Sequence, residues 1–409
     1  MPVRLRINAN HVLIGIMFIL CLRPYYVQVN PVLNDIWKYG MASFAVVSII
    51  QVFLINRMKN TSCLYLFCVS YLIGTIHADN GDISGAFSYC AQIILANNVG
   101  IILKHCNSRR ALSLISSLIA LCIYFDCILG ALQLPILLGK DNVYTLWGYD
   151  NYAAYVLLPL IAAKCGIDYY IHGKLVFNDY CCVILMIIYK LYTLSLNAIV
   201  FFSMYFVLLV VIKNYDLLIK RLKLWHVLAA NILLITLIVK FEVYKKFEEV
   251  LKYLGKGNNF GYRADFWKRT VRILLETPVF GYGKYQGSFF ATLIGYNPIY
   301  YLATTHAHNF ILDLWLQTGI VGMSLYYLYV YKCLRGVTIK PASLSERIIL
   351  LGIIVYYLMG LVDAYPFIST SYFLLGLYGF TQYMVETPRI GEKSQRYDLI
   401  LIKPNNRPL

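Results

Sequence analysis

The sequence predicts an all-α polytopic membrane protein, with about 12 transmembrane helices and one long extracytoplasmic loop. Three observations predict it. Of the 409 residues, 60% are hydrophobic and 14% charged, with mean hydropathy +0.63; soluble domains carry about 25% charged residues. Apolar runs recur along the whole chain at close to the ~20 residues that span a bilayer. Between them, Lys and Arg alternate between dense and sparse connecting loops, the signature of positive-inside topology. The net charge of +16 is therefore an orientation signal and not a nucleic-acid footprint.

The first nine runs are Ile7–Leu22, Tyr39–Ile55, Cys63–His77, Gly85–Leu103, Ala111–Leu132, Asn151–Ile171, Asp179–Thr193, Asn197–Ile212 and Leu224–Phe241. Three more follow after a gap, at His308–Val330, Ile348–Asp363 and Phe367–Val385. The first run ends in "CLRPYY" without a small-residue cleavage site, so it reads as a retained span. Basic loops such as "NRMK", "KHCNSRR" and "KNYDLLIKRLK" alternate with loops holding only Arg23, Lys38, Lys140 or Lys190. Both termini are thereby placed in the cytoplasm. The expected organisation is helices 1–9 in 1–241, an extracytoplasmic loop acting as a lid in 242–307, helices 10–12 in 308–385 and a cytoplasmic tail in 386–409. None of the 11 cysteines falls within 242–307, so they read as small apolar packers and not as an external disulfide framework.

The 242–307 segment carries 9 basic and 5 acidic residues, a positive excess on the side where cations are normally sparse; an anionic partner would explain it. "KKFEEVLKYL" reads as a short amphipathic helix, and "YRADFWKRTVRILLETP" as a second helix stopped before Pro278. On a 3.6-residue period, Phe266, Trp267, Thr270 and Leu274 form one face. Asp265, Lys268, Arg269, Arg272 and Glu276 form a largely solvated one. Arg263 falls in register with the apolar face and points toward the bundle, where an arginine usually binds something. The following "VFGYGKYQGSFFATLIGYNP" is glycine-punctuated and aromatic, a turn-rich stretch.

At the end of the loop, "TTHAHNFILDLWLQTGIVGM" sets two histidines and an asparagine before a greasy helix. Thr304 or Thr305 is positioned to cap that helix. His308 shares a face with Gly319 and Gly322, small residues that let a neighbouring helix approach closely. Asn309, Asp313 and Gln317 form an adjoining polar stripe, with Asp313 about 7 to 8 Å below His308 at a 1.5 Å rise. One corner thus gathers a base of near-neutral pKa, an amide, a carboxylate and an inward arginine. A zinc site is the competitor, with His77 joining His306 and His308 to make three ligands.

These motifs resemble the O-antigen ligase and surface-polysaccharide polymerase family. The likeness rests on His308–Asn309, nine residues, then Gly319-x-x-Gly322; on "RADFWKRTVRILLETPVFGYG"; and on "WGYDNYAAYVLLPLIAA". It covers roughly Trp147 to Met323. One departure stands out: the family's Ser-Arg-Gly-like turn is here "TLSLNAIV", where Ser195 and Asn197 flank no arginine. Lys190, Lys268 and Lys284 are the substitutes the sequence offers.

The resemblance implies an inverting transfer of a glycan en bloc from undecaprenyl diphosphate to an acceptor sugar, outside the bacterial cytoplasmic membrane, with no metal and no cofactor. Arg263 and His308 would be catalytic, the guanidinium on the diphosphate and the imidazole on the attacking hydroxyl. His306, Asn309, Asp313, Trp267, Lys268 and Lys284 would contact substrate. Expected partners are the lipid-linked donor, an acceptor (a lipid-linked repeat unit or a lipid A core), membrane lipids, a repeat-unit flippase and a chain-length regulator, with no nucleic acid. Polymerisation of repeat units is the first expectation and ligation of the finished glycan the alternative. A lipid-linked glycan transporter is the alternative of another class; it would use midspan charges, of which Asp126 is the clearest.

Overall fold

The computed structural model describes residues 9–55, 58–79, 81–106, 108–132, 145–148, 150–193, 195–212, 224–243, 245, 259–285, 287–294, 306–334, 343–363 and 365–378. These are helical and their connectors, with isolated bridges as the only extended pairing among them. The expected short helix "KKFEEVLKYL", the caps Thr304 and Thr305, most of the stretch after Ile294 and the 386–409 tail lie outside the described residues.

The helices are α1 (Ala9–Leu22), α2 (Tyr25–Val29), α3 (Pro31–Leu54), α4 (Met58–His77), α5 (Ile83–Cys106), α6 (Arg109–Ala131), α7 (Asp150–His172), α8 (Phe177–Tyr192), α9 (Leu196–Val211), α10 (Leu224–Val239), α11 (Asn259–Leu274), α12 (Gly287–Ile294), α13 (Phe310–Leu334), α14 (Leu344–Met359) and α15 (Ser369–Tyr378). Four are long and apolar enough to cross a membrane, in α3, α5, α6 and α7, and α1, α4, α9 and α10 contain shorter apolar helices. Large apolar side chains on α3 such as Ile36, Val46, Ile50 and Phe53 face outward. In water such a surface would be untenable, and the chain is an integral membrane protein.

Packing sorts the helices into an inner and an outer set. α5 and α7 are buried almost throughout, while α3 and α6 bury far less. The closest pairs are α5 with α15, α4 with α13, α7 with α14 and α3 with α5. Gly100 and Gly376 mark a tight crossing of α5 and α15: a Cβ on Gly376 would collide with the Asn97 carbonyl of α5. A second, smaller apolar core of Phe266, Trp267, Leu274, Ala307, Leu312 and Leu316 fixes α11 against α10 and α13. Asp126 is buried and accepts from the Leu146 amide at 2.6 Å.

α13 differs from its sequence expectation in two ways. It begins at Phe310, so His306 and His308 lie in the connector before it. It also breaks at Gly319, whose φ of 62° and ψ of −172° are not helical. The break accommodates a strap from Val279 to Tyr285. Tyr282 and Gly283 donate to the Leu316 and Gln317 carbonyls at 2.8 and 2.9 Å, and Val321 donates back to Val279 at 3.3 Å. The strap then reaches α4, where the Lys284 amide donates to Thr75 Oγ1 at 3.0 Å. Gly319 therefore serves the strap and not a neighbouring helix; Gly322 is the residue that faces α4, near Ser70. The carbonyls freed by the break are satisfied within protein, as apolar surroundings require.

Candidate active site

The site is built on two connectors at one end of the bundle, the 306–309 turn before α13 and the 360–363 turn after α14. Three ties hold them in register. Phe310 donates to the Gly360 carbonyl at 2.9 Å, Asn309 Nδ2 to the Leu361 carbonyl at 3.1 Å, and both histidines meet one carboxylate. His308 Nδ1 lies 3.0 Å and His306 Nε2 3.2 Å from Asp363 Oδ1. The imidazole centroids are 4.3 Å apart.

The turn is fixed from both sides. The Ala307 amide donates to Asp313 Oδ1 at 3.3 Å, and the Ala307 carbonyl accepts from Trp267 Nε1 at 2.9 Å. His308 is held at φ 49°, a backbone conformation uncommon outside glycine and one that clusters at functional sites. Arg263 enters from α11, as its register required. Its Nη1 donates to the Val362 carbonyl at 2.5 Å, one residue before Asp363. Arg263 is half-buried, and its other guanidinium donors have no acceptor among the described residues. The imidazoles, the carboxylate and the guanidinium therefore share one corner, with the Tyr365 ring 5.0 Å from His306.

The remaining expected contacts fall into two groups. Asn309, Asp313 and Trp267 are buried and build the turn. Asn309 Oδ1 accepts from Ile311 and Leu312, which makes it the N-cap of α13, and its Nδ2 also reaches Asn231 of α10 at 2.9 Å. Asp313 Oδ2 takes Gln317 at 2.8 Å. All three are engaged by protein hydrogen bonds and buried. Lys268 pairs with Glu242 on the outer face of α11. Lys190 is buried in α8 beside Tyr189. Lys284 pairs with Asp82 at 3.0 Å and lies over the Tyr89 ring at 4.3 Å.

Asp363 was not singled out in the sequence, where it appears only as the last residue of an apolar run. An acid closing such a run, "GLVDAYP", was the available signal. It also replaces His77 as the third member of a metal-capable group: the ligand atoms of His306, His308 and Asp363 lie within 4.8 Å of one another, near enough to touch one divalent cation. His77, at the exposed end of α4, is not part of it.

The electrostatics separate the two imidazoles. Burial opposes charge on both. In His306 the hydrogen bond to Asp363, helped by Asp313, outweighs burial and lifts its pKa above the ordinary histidine value. In His308 burial prevails, assisted by repulsion from His306, and its pKa is depressed. Burial also opposes ionisation of Asp363, yet the two histidines hold it well below the usual carboxylate range. With Nδ1–H directed at Asp363, His308 Nε2 is left as an acceptor with no partner among the described residues.

An integral membrane protein of helices, with two partly buried imidazoles on one buried carboxylate and an arginine beside them, defines a class of helical membrane proteins with an ionisable site at one end of the bundle. The comparisons with known proteins narrow that class. Residues 181–327 match the family model described as O-Antigen ligase. A Rickettsia conorii protein named "Putative polysaccharide ligase" is 29% identical over 117 residues, 27% of this chain and 28% of that protein. Its same-named counterparts from Rickettsia felis and Rickettsia prowazekii are 28% and 26% identical, over 29% and 32% of their own lengths. The matches thus span about a third or less of the relatives. No solved structure matches. The resemblance of this chain to the O-antigen ligase family is shown, and Arg263, His306 and His308 lie inside the matched stretch.

Proposed function

We propose that this chain is a lipid-diphosphate-dependent glycosyltransferase of the bacterial cytoplasmic membrane, with about 12 spans and its site on the extracytoplasmic face beneath the 242–307 lid. The observation that carries the reading is the convergence of Arg263, His308 and Asp363 at one end of the bundle, on connectors fixed by Trp267 and Asp313. The donor is a glycan on undecaprenyl diphosphate. The acceptor hydroxyl oxygen attacks the anomeric carbon from the face opposite the diphosphate. The bond from that carbon to phosphate oxygen breaks, and the lipid diphosphate departs with the electron pair. His308 Nε2 takes the hydroxyl proton, a step typically worth 10²–10⁴-fold. Arg263 and protonated His306 offset the charge developing on phosphate. Asp363 fixes the His308 tautomer and stabilises the imidazolium once formed. Inversion follows from the single displacement.

The acceptor we favour is a second lipid-linked repeat unit, which makes the enzyme a polymerase of surface polysaccharide. Ligation to a lipid A core or to protein is the second reading, and the names of the relatives favour it. Purified protein supplied with lipid-linked repeat alone separates the two: chain growth supports the polymerase, and growth only after core or protein is added supports the ligase. The reaction proceeds without metal in this account. The metal-capable geometry makes a direct test necessary: activity survives exhaustive chelation here, and loss restored by zinc would replace the proton-transfer role of His308 with a metal.

A further inference from the structure

Besides His308 and Glu242, one non-glycine residue among the described residues has positive φ: Arg23, at 41°, directly after α1. Its guanidinium is half-buried and touches neutral acceptors, Ser88 Oγ at 3.3 Å and Asn34 Oδ1 at 2.6 Å. Its Nε is buried without a partner, and among the described residues no carboxylate pairs with it. A strained backbone is retained where the surroundings enforce it, and a charge taken partly out of water calls for a counterion. The protein supplies the donors and withholds the anion.

Arg23 is tied to the site already described. The Cys21 carbonyl, two residues earlier, accepts from Ser369 Oγ at 2.7 Å and Gln92 Nε2 at 2.8 Å. This joins the end of α1 to α5 and to the first residue of α15, four residues after Tyr365. Rings then bridge the interval. Tyr152 lies within electrostatic reach of Arg23, its centroid is 5.3 Å from Tyr365, and Tyr365 is 5.0 Å from His306. Tyr152 and Tyr365 are half-buried, as rings lining an accessible surface are. Lys284 lies nearby over Tyr89 but is already neutralised by Asp82.

We propose that Arg23 is a second anion site, which binds the phosphate of a lipid-linked acceptor while Arg263 binds the donor diphosphate, with the sugars between them lying along Tyr152 and Tyr365. This rests on the glycan-transfer reading and extends it, because it assigns the two lipid diphosphates of a polymerase to two different arginines. Arg23 would be a substrate-binding residue without contact to the reacting atoms.

The test uses the full chain in detergent micelles and a short-chain polyprenyl-diphosphate disaccharide as probe, with bound stoichiometry read by native mass spectrometry. Arg23→Asn is the informative variant, because asparagine tolerates positive φ while removing the charge; Arg23→Lys keeps charge but not the planar fork. Two probes should bind the wild type, one should bind Arg23→Asn and one should bind Arg263→Ala. With transfer as readout, Arg23→Asn should raise the acceptor KM at least 10-fold at unchanged donor KM, and Arg23→Lys should recover part of it. Wild-type acceptors built on a neutral alkyl group should already show the raised KM, and the variant should no longer distinguish the two. A single probe on the wild type, two on Arg23→Asn, or an unchanged acceptor KM overturns the proposal. Two probes retained by Arg263→Ala would instead overturn the donor assignment and leave the Arg23 result standing on its own.

Discussion

Two ionic clusters in this molecule use similar chemistry and differ in everything that surrounds it. At one end of the bundle Lys164 of α7 is fully buried between Asp168 and Asp179, each 2.6 Å away. Ser116 of α6 closes the other oxygen of Asp168 at 2.5 Å, and the Val176 amide closes that of Asp179 at 2.9 Å. Its charged groups are borne by helices, and every charged oxygen has a donor. At the opposite end Asp363 meets two histidines on irregular connectors, His308 Nε2 has no partner among the described residues, and Arg263 presents spare donors. The first cluster is finished and joins α6, α7 and α8. The second lacks an anion and a proton donor, which is what a substrate brings. Saturation of hydrogen bonds, more than charge or burial, separates a staple from a site.

The comparison can be broken first at the staple. Lys164→Met leaves two buried carboxylates without their cation and should destabilise the protein by about 3–5 kcal/mol. A thermal melt of the purified protein should register that loss, while transfer per folded molecule stays near wild type; a loss of activity with unchanged melting would mean this cluster is also functional. Asp363→Asn should do the reverse. Transfer should fall about 100-fold, within the range of proton-transfer contributions, because the His308 tautomer is no longer imposed.

The pH profile sharpens the same contrast. His308 must be neutral and its pKa is depressed, so the acid limb should lie below the ordinary histidine value. His306 must be charged and its pKa is raised, so the alkaline limb should lie above it. Asp363 raises both rings, so Asp363→Asn should move both limbs to lower pH in a plot of kcat/KM against pH. The smallest effect belongs to the outer face of α11. Lys268→Ala breaks a surface pair with Glu242 and should leave transfer and the melting temperature close to wild type.

How much of this was legible follows from which links are local. Arg263 could be placed because three and four residues along a helix lead to Phe266 and Trp267, and the structure does bury that face. His308 was conspicuous because imidazole is costly beside lipid. The roles of Asn309, Asp313 and Trp267 were not legible: their side-chain direction depends on Ala307, Leu361 and Asn231, which the turn alone brings near. Asp363 lies 55 residues from His308 in sequence, in a different apolar run, and no spacing rule links them. Arg23 was counted only as one of the sparse basic residues of an outer loop. The helical class was legible throughout from composition, whereas the break at Gly319 depends on a strap 34 to 40 residues earlier that donates into it.

The central claim is that Arg263 and His308 act on one lipid-diphosphate substrate. The direct measurement is transfer by purified wild-type, His308→Ala and Arg263→Ala proteins, alongside equilibrium binding of the donor to each. The account predicts transfer reduced at least 100-fold in both variants, with donor binding weakened in Arg263→Ala and nearly retained in His308→Ala. Near-normal transfer by either variant, in protein that melts like wild type, would contradict it.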